Sequence, residues 1–417
     1  MGVLAKLVGA AGAVGIGGFA YYATAGAEQQ FWLISSMGPA FRLLDPETTH
    51  NLGIEAAKWG LFPKETRPDP AILRTRVWAK DFPNPIGLAA GFDKHAEAVE
   101  PLMKLGFGFV EIGSVTPRPQ PGNPSPRVFR IKDLSATINR YGFNSLGADA
   151  VQDNLTLFAK KAREDPAAKP GLLGVNLGKN KSSKDAATDY SIGLTKLSQH
   201  ADYVVINISS PNTPGLRALQ GKKELEALVS QVKGTRDRMR WGPSGPPPLV
   251  VKIAPDLTQE DKEDIAAVAL KYKLDGLIVS NTTITRPGAV AQYPEGKEAG
   301  GLSGPPLMDL ATDVLADMYR LTGKGKIPLI GCGGVSNGED AYRKIRAGAS
   351  LVQLYTALAY AGPGVVPTIK AELARLLERD GFESVAAAVG VDHQPGKRYE
   401  NAGPQEGSRG TWWKQGS

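Results

Sequence analysis

The stretch LVVKIAPDLTQEDKEDIAAVALKYKLDGLIVS, residues 249–280, holds two short apolar runs on either side of a charged segment of helical length. Residues 249–253 and 276–280 have the length and apolar character of strands that are buried on both faces. Residues 258–271 begin with acidic side chains, which the first turn of a helix favours. The stretch therefore predicts a strand, a helix and a second strand, the repeating unit of parallel α/β proteins.

The same alternation continues along the chain from about residue 70. Strand-like apolar runs are found at residues 86–90, 109–114, 172–176, 203–208, 249–253, 276–280, 328–331 and 351–355. Eight short strands with helices between them are the number in a (β/α)8, or TIM, barrel. A doubly wound sheet shows a similar alternation but rarely needs eight strands. The predicted fold class is therefore α/β, as a (β/α)8 barrel.

The composition is that of an ordinary globular protein, because 42% of the 417 residues are apolar and 22% are charged. The single cysteine, Cys332, excludes an internal disulfide framework and any cysteine-based metal site. The four histidines lack metal-ligand spacing, so no metal is predicted. The net charge of +7 is spread along the sequence, which argues against nucleic acid and favours an anionic membrane or a small anionic ligand.

The N-terminus carries a stretch without any charged residue, from residue 7 to residue 23. Its length is near the lower limit for a bilayer span, which takes about 20 residues. We interpret residues 1–28 as a membrane anchor or targeting segment with a possible single transmembrane helix. A cleaved signal is the main alternative and stays open.

Residues 29–65 are predicted to form a module of two short amphipathic helices. The first covers roughly residues 30–44, and the second begins with Asp45 as N-cap and Pro46 at the first helical position. Such a pair either packs on a core or lies on a membrane surface, and its place after a candidate anchor favours a membrane-binding extension. The rest of the chain is divided into a (β/α)8 barrel domain, residues 66–391, and a flexible tail, residues 392–417.

Asparagine stands at the predicted ends of three strands, although strands normally disfavour it. Any one of Asn176, Asn207 and Asn281 could simply cap a turn. At one barrel mouth, however, their amides would offer paired donors and acceptors that suit the edge of a flat, neutral heterocycle such as a pyrimidine or a flavin.

A glycine-rich turn, GCGG at residues 331–334, follows the seventh predicted strand and precedes a helix. Backbone N–H groups in such a turn can approach a phosphate closely, and barrels bind phosphate at this position. Gly304, and Tyr355 with Thr356 at the end of the eighth strand, strengthen the prediction of a phosphate-bearing cofactor. FMN satisfies both the flat ring and the single phosphate.

Two lysines stand at the ends of predicted strands. Lys252 ends an apolar run, so its stem is expected inside the barrel. It can be a structural lysine, a Schiff-base nucleophile or a cation opposite the charge that develops on a reduced flavin. Lys94 follows the first strand and can face the carboxylate of an anionic substrate.

Ten motifs, which keep their order and spacing between about residues 30 and 393, make the chain resemble dihydroorotate dehydrogenase. The motifs are AAGFDKH, EIGSVTPRPQPGNPSPRVFR, INRYGFNS, GVNLGKNK, NISSPNTPGLRALQ, VKIAPDLT, SNTT, GGLSGPPL, IGCGGV and LVQLYTAL. Ser210 stands where the soluble class of this family carries cysteine. With the N-terminal helix pair, this makes the chain similar to the membrane-associated, quinone-linked class (class 2) of mitochondrial type.

The resemblance implies oxidation of (S)-dihydroorotate to orotate, with FMN as hydride acceptor and a quinone as terminal electron acceptor, in de novo pyrimidine (UMP) biosynthesis. Ser210 would take the C5 proton of dihydroorotate while a hydride leaves C6 for the flavin. The implied partners are dihydroorotate and orotate, ubiquinone and membrane lipid, with no nucleic acid and no obligate protein partner. The implied location is the mitochondrial inner membrane.

The resemblance also implies roles for individual residues. Those implied in catalysis are Ser210, Lys94 and Lys252. Those implied in flavin binding are Ala90, Gly91, Phe92, Asp93, Lys94, Ser114, Asn176, Asn207, Lys252, Ser280, Gly304, Gly333, Gly334, Tyr355 and Thr356. Those implied in substrate binding are Lys94, Asn139, Arg140, Tyr141, Gly142, Phe143, Asn207, Asn212, Asn281 and Thr282. Those implied in a quinone tunnel are His50, Arg130 and Tyr355.

Two positions depart from the family pattern: Phe41 stands where the family often has glutamine, and Ser280 where it often has threonine. Ser280 keeps a hydroxyl, so we expect its flavin contact to be preserved, whereas Phe41 bears on the preference for a quinone head group. Two other functions are alternatives. A Schiff-base aldolase on the same barrel would use Lys252 as its nucleophile, and a membrane scaffold would need no intact site.

Overall fold

The computed structural model describes residues 21–396, and its centre is a closed barrel of eight parallel strands. The strands in chain order are β1 (Thr75–Val77), β2 (Lys80–Phe82), β3 (Ile86–Leu88), β4 (Phe109–Val115), β5 (Val128–Ile131), β6 (Ala136–Asn139), β7 (Leu172–Leu177), β8 (Tyr203–Asn207), β9 (Leu249–Ile253), β10 (Gly276–Val279), β11 (Gly301–Ser303), β12 (Leu329–Cys332) and β13 (Ala349–Leu354).

Helices follow most barrel strands and cover the outside of the barrel. The helices in chain order are α1 (Ala27–Ser36), α2 (Gly38–Phe41), α3 (Pro46–Lys58), α4 (Val99–Met103), α5 (Ala148–Glu164), α6 (Ala186–Leu197), α7 (Lys222–Arg238), α8 (Gln259–Lys271), α9 (Gly288–Ala291), α10 (Met308–Leu321), α11 (Gly338–Arg346), α12 (Thr356–Ala361), α13 (Val365–Arg379) and α14 (Val385–Ala388).

The barrel strands follow one another in the order β3, β4, β7, β8, β9, β10, β12 and β13. Pairing of Val352 with Ile86 joins β13 to β3 and closes the barrel. All eight predicted runs form barrel strands, so the predicted (β/α)8 fold is confirmed. In the strand–helix–strand unit of residues 249–280, β9 leads into α8, and α8 leads into β10. Thr258 and Asp261 form a reciprocal capping box at the start of α8.

Aromatic side chains fill the interior of the barrel at the end opposite the carboxyl ends of the strands. Phe82, Phe109 and Tyr203 are completely buried there. The antiparallel hairpin β1–β2 closes this end of the barrel, where Trp78 Nε1 donates to the carbonyl oxygen of Asp275 at 2.5 Å. Because this end is filled, the carboxyl ends of the strands are the face that can hold a site.

A second antiparallel sheet, of β5, β6 and β11, is built from the loops that follow β4 and β10. This sheet is not predictable from the sequence, since its strands are only three or four residues long. The sheet brings Arg130, Asn139 and Ser303 to the wall of the cavity described below.

Helices α1 to α3 form the N-terminal helical region that the sequence predicts. The carboxylate of Asp45 accepts the N–H of Thr48 at 2.8 Å, and Pro46 is the first residue of α3, as expected. The predicted first helix is divided, because α1 ends at Ser36 and the short α2 continues from it.

Charged side chains hold this region against the barrel. Arg127 pairs with Glu47 at 2.5 Å, and Arg130 Nη1 donates to the carbonyl oxygen of Leu44 at 2.8 Å. Large apolar side chains nevertheless stay in contact with solvent, since Leu43 is 81% exposed and Trp59 78%. Within residues 21–396 no helix has both the length and the apolar character needed to cross a bilayer. Most of the stretch predicted as an anchor, and the tail from residue 397, lie outside the described residues.

Candidate active site

One cavity of about 490 Å³ extends from the carboxyl ends of the barrel strands to the space between α1, α2 and α3. It brings together most of the residues that the sequence predicts for the site. The predicted residues that line it are His50, Ala90, Gly91, Phe92, Lys94, Ser114, Arg130, Asn139, Tyr141, Gly142, Phe143, Asn207, Ser210, Asn212, Lys252, Ser280, Asn281, Thr282, Gly304, Gly333, Gly334, Tyr355 and Thr356.

Three predicted site residues do not line this cavity. The buried carboxylate of Asp93 accepts backbone N–H groups, with Ala98 at 2.9 Å and Glu97 at 3.0 Å, and so shapes the turn that carries Lys94. Arg140 turns away and pairs with Glu298 at 2.5 Å. Asn176 is fully buried behind the cavity wall, where it contacts residues that do line the cavity.

Amide and hydroxyl groups at the strand ends form one connected network. Ser114 Oγ donates to Asn176 Oδ1 at 2.5 Å, and Asn207 Nδ2 donates to Ser114 Oγ at 3.0 Å. Asn281 Nδ2 donates to Ser209 Oγ at 3.0 Å, and Ser209 Oγ donates to Asn207 Oδ1 at 2.9 Å. The predicted asparagines therefore hold one another in place at a single barrel mouth.

A buried carboxylate that was not predicted from the sequence anchors this network from below. Glu111 on β4 is completely buried and accepts hydrogen bonds from Asn176 Nδ2 at 2.8 Å, Gln353 Nε2 at 2.7 Å and Tyr203 Oη at 3.0 Å. Because Asn176 and Gln353 direct their amide N–H groups at Glu111, their side-chain oxygens point away from this carboxylate. The signal in the sequence was a single charged residue inside an otherwise apolar strand.

The residues of the cavity fit a flavin. The side-chain oxygen Oε1 of Gln353 is buried at the cavity without a hydrogen-bond partner among the described residues, so it can accept from a ligand. At the glycine turns, other backbone segments lie so close to the glycines that no side chain would fit. A Cβ at Gly304 would lie 2.6 Å from the Ser135 carbonyl oxygen, and a Cβ at Gly334 would overlap Met308 Cα. Only glycine fits at these turns, and a turn without side chains allows backbone N–H groups to approach a ligand phosphate closely.

Lys252 and Lys94 both reach the cavity, but their surroundings differ. Lys252 is only 4% exposed and forms no ion pair with any residue between 21 and 396. Lys94 lies with Nζ 3.2 Å from His50 Nε2 and 4.4 Å from the centre of the Tyr141 ring. Burial lowers the pKa of Lys94 to about 8.

His50 connects the N-terminal helices to the barrel. Its Nδ1 lies 3.4 Å from Tyr355 Oη, while Nε2 contacts Lys94. Burial, and then the nearby Lys94 charge, hold the pKa of His50 well below its ordinary value. His50 is therefore a neutral ring at physiological pH, on the wall between the barrel mouth and the helical space.

The loop that carries Ser210 is held by an arginine that the sequence analysis did not single out. Arg217 donates through Nε to the Ser209 carbonyl oxygen at 2.9 Å and through Nη2 to the Thr282 carbonyl oxygen at 2.9 Å. Its Nη1 donates to Asp256 Oδ2 at 2.8 Å. One guanidinium group thus joins the Ser210 loop to the loop after β10, and Ser210 itself is 7% exposed.

Comparisons with known proteins identify relatives over nearly the whole chain. The sequence model described as dihydroorotate dehydrogenase matches residues 72–377. The chain is 58% identical to the mitochondrial dihydroorotate dehydrogenase (quinone) of Oryza sativa, over 93% of this chain and 86% of that protein. It is 54% identical to the mitochondrial dihydroorotate dehydrogenase (quinone) of Mus musculus, over 90% of this chain and 94% of that protein.

A solved structure agrees with the fold. The dihydroorotate dehydrogenase of Eimeria tenella in complex with ferulenol superposes with a TM-score of 0.82 at 43% identity, covering 84% of this chain and 96% of that one. The barrel, the cavity and these relatives lead to the same assignment: the chain belongs to the dihydroorotate dehydrogenase family, in its quinone-linked class of mitochondrial type.

Proposed function

We propose that this chain oxidises (S)-dihydroorotate to orotate with FMN as its flavin and a quinone as terminal electron acceptor, at the mitochondrial inner membrane in de novo pyrimidine biosynthesis. The observation that carries the proposal is the shape of the cavity. Polar groups line it at the barrel mouth, apolar groups such as Met37 and Phe41 line it between the helices, and the two parts are continuous.

FMN would be held along the barrel mouth. The backbone turns at Gly304, Gly333 and Gly334 would surround its phosphate, and Asn207 and Lys252 would contact its ring. When bound, FMN supplies a two-electron acceptor for the hydride at C6 of the substrate. The enclosed setting of these residues keeps bulk water away from the reacting atoms.

Proton removal at C5 is assigned to Ser210, whose Oγ would receive the proton. A serine hydroxyl is a weak base, so it needs a fixed position in a dry site. The three hydrogen bonds of Arg217 to the flanking segments provide that position. Among the described side chains no histidine or carboxylate hydrogen-bonds to Ser210 Oγ, so as Oγ takes the C5 proton, the hydroxyl proton of Ser210 would pass to a hydrogen-bonded water.

Substrate would be held by amides and one cation. Asn212 Nδ2 donates to Asn139 Oδ1 at 3.3 Å, which places two amides from different loops side by side. These amides, with Asn207 and Asn281, suit the ring N–H and C=O groups of dihydroorotate. Lys94 would neutralise the carboxylate of the substrate.

The quinone would enter between the N-terminal helices, with its head group near His50, Arg130 and Tyr355. Ubiquinone fits the apolar lining of this part of the cavity. The exposed side chains of Leu43 and Trp59 lie on the same helical region and would contact membrane lipid. The tail of the quinone could then leave the bilayer without crossing water.

The function is tested on the purified protein in two half-reactions. Dihydroorotate added without oxygen is expected to bleach the flavin absorbance, and ubiquinone is expected to restore it. Protein-bound flavin that dihydroorotate leaves oxidised would contradict the proposal. Borohydride trapping of a carbonyl substrate on Lys252 would instead favour the aldolase.

Replacing Lys252 with methionine is expected to slow flavin reduction by about tenfold, since about 1.4 kcal/mol of charge stabilisation on the reduced ring is lost. The side chain keeps a similar length, and no carboxylate among the described residues loses an ion-pair partner. Stopped-flow absorbance of the flavin measures the rate. Reduction at the wild-type rate with flavin retained would return Lys252 to a structural role.

Substrate affinity is expected to fall as pH rises through about 8, because burial lowers the pKa of Lys94 to about 8 and the neutral amine cannot pair with a carboxylate. The cation is present below that pH and lost above it, so KM for dihydroorotate should rise by up to about tenfold per pH unit. Lys94→Met should have a high KM that no longer changes over this range. A KM that stays constant to about pH 10 in the wild type would contradict the prediction.

A further inference from the structure

Lys344 on α11 has a completely buried side chain that no part of the proposed mechanism uses. Its Nζ has one hydrogen bond, to the carbonyl oxygen of Met308 at 3.5 Å. Within residues 21–396 it has no carboxylate within ion-pair distance. An amine that is removed from water and left without a counter-charge is costly, so its presence needs a reason.

Other buried lysines of the chain show what a structural role looks like. Lys370 on α13 is 4% exposed and pairs with Asp69 at 2.5 Å. Lys179 donates to the carbonyl oxygens of Asn180 at 3.0 Å and Ser183 at 2.7 Å. Both are satisfied by protein groups, whereas Lys344 has only one long contact.

The side chain of Lys344 extends behind the glycine turn that follows β12. At its base, a Cβ on Gly331 would lie 3.2 Å from Lys344 Cβ. At its tip, Nζ contacts Met308, whose backbone is so close to Gly334 that a Cβ there would overlap it. The amine therefore lies directly behind the Gly333–Gly334 turn, and this turn lines the cavity.

The other cations that line the cavity either bind protein groups or lie on a strand that is not adjacent to β12. Arg42 Nη1 donates to the Tyr360 carbonyl oxygen at 2.6 Å, Arg130 Nη1 donates to the Leu44 carbonyl oxygen, and Lys94 contacts His50. Lys252 is on β9, which β10 separates from β12. A phosphate at the glycine turn would thus meet neutral backbone N–H groups in front and the Lys344 amine behind.

We propose that Lys344 is the counter-charge of the flavin phosphate, attracting it from behind the Gly333–Gly334 turn. The proposal rests on the proposed FMN cofactor. Lys344 would act on the phosphate through its charge, without touching the cofactor. Charges that are separated by one layer of buried backbone attract strongly, because little water screens them. The backbone groups give the phosphate its hydrogen bonds, and Lys344 supplies charge.

The neighbouring charges agree with this role. Burial lowers the pKa of Lys344 to about 7, with Cys332, Asp340 and Asp309 opposing the shift and Arg343 adding to it. Without a ligand the amine is therefore only partly protonated at neutral pH. A phosphate brought close to it would favour the charged form.

The test uses the flavin-loaded protein and compares two flavins that differ only in the phosphate. Wild-type protein and Lys344→Met are incubated with FMN and riboflavin in competition, and the ratio of the two flavins bound to the protein is measured after separation. We expect the preference for FMN over riboflavin to fall by about tenfold in Lys344→Met.

Lys370→Met is the matched control, because it also removes a buried lysine from a helix beside the barrel. It leaves the Asp69 carboxylate without its cation, although Asn84 Nδ2 still donates to Asp69 at 2.6 Å, so we expect a lower Tm and an unchanged preference for FMN. A wild-type preference in folded Lys344→Met would overturn the inference, as would an equal loss of FMN and riboflavin. A wild-type protein without any preference for FMN would instead overturn the proposed cofactor itself.

Discussion

Replacing Ser210 with alanine is expected to lower the rate of flavin reduction by dihydroorotate by roughly 10²–10⁴-fold, which is the usual contribution of a positioned general base. The flavin should stay bound, because the amide network and the glycine turns do not depend on the Ser210 hydroxyl. Anaerobic stopped-flow absorbance separates this step from quinone turnover. The rate should recover partly at high pH, where hydroxide can replace the missing base.

A matched control is available in Ser198, a second buried serine that does not line the cavity. Its hydroxyl has no hydrogen-bond partner among the described residues, so Ser198→Ala should leave the rate and the stability close to wild type. Near wild-type flavin reduction by Ser210→Ala at neutral pH would show that another group takes the C5 proton.

The barrel strands were predictable because each one is buried on both faces. A parallel strand inside a barrel becomes a largely apolar run: β8 and β9 are buried at every position, and all of their residues except Asn207 and Lys252 are apolar. The hairpin β1–β2 and the sheet of β5, β6 and β11 lack this signal, since their strands have only three or four residues and none is buried at every position. Periodicity over three or four residues is too brief to separate a strand from a loop.

Site residues at strand ends were predictable from the sequence. The direction in which a neighbouring side chain points was less predictable. Asp93 and Arg140 flank motif residues that line the cavity, yet their own side chains bind backbone N–H groups and Glu298. The sequence does not specify which of two neighbouring side chains faces a ligand. Arg217 and Lys344 were missed because their roles depend on contacts between segments that are distant in the chain.

Buried groups without partners mark the cavity as a site that a ligand completes. Gln353 Oε1 has no donor among the described residues, and Lys252 has no counter-ion among them. Such groups reduce the stability of the protein alone, since buried polar atoms are normally paired. They are expected at a binding site, because a bound ligand can offer the missing donor and charge. Ligand binding should therefore raise the Tm of this protein.

Flavin reduction and flavin reoxidation are proposed to use different parts of the cavity. This can be tested by filling the part of the cavity that lies between α1, α2 and α3. Gly53 on α3 lines the cavity, and a Cβ placed on it would meet no other atom within 4 Å. A large side chain can therefore be added without strain in the helix, where most residues are more favourable than glycine. Gly53→Trp places an indole ring where the quinone is proposed to enter.

Reoxidation of the flavin by ubiquinone is expected to slow by roughly 5- to 150-fold in Gly53→Trp, because forcing a quinone past the indole costs about 1–3 kcal/mol of overpacking. Reduction by dihydroorotate should keep its wild-type rate, since Ser210 and the amide network are at the other end of the cavity. Gly53→Ala is the control, as a methyl group leaves the space open and should leave both rates unchanged. Only the quinone step is predicted to slow. Equal rates of ubiquinone reoxidation in Gly53→Trp and the wild type would therefore place quinone entry elsewhere. Slowing of both steps would indicate a folding defect rather than a blocked passage.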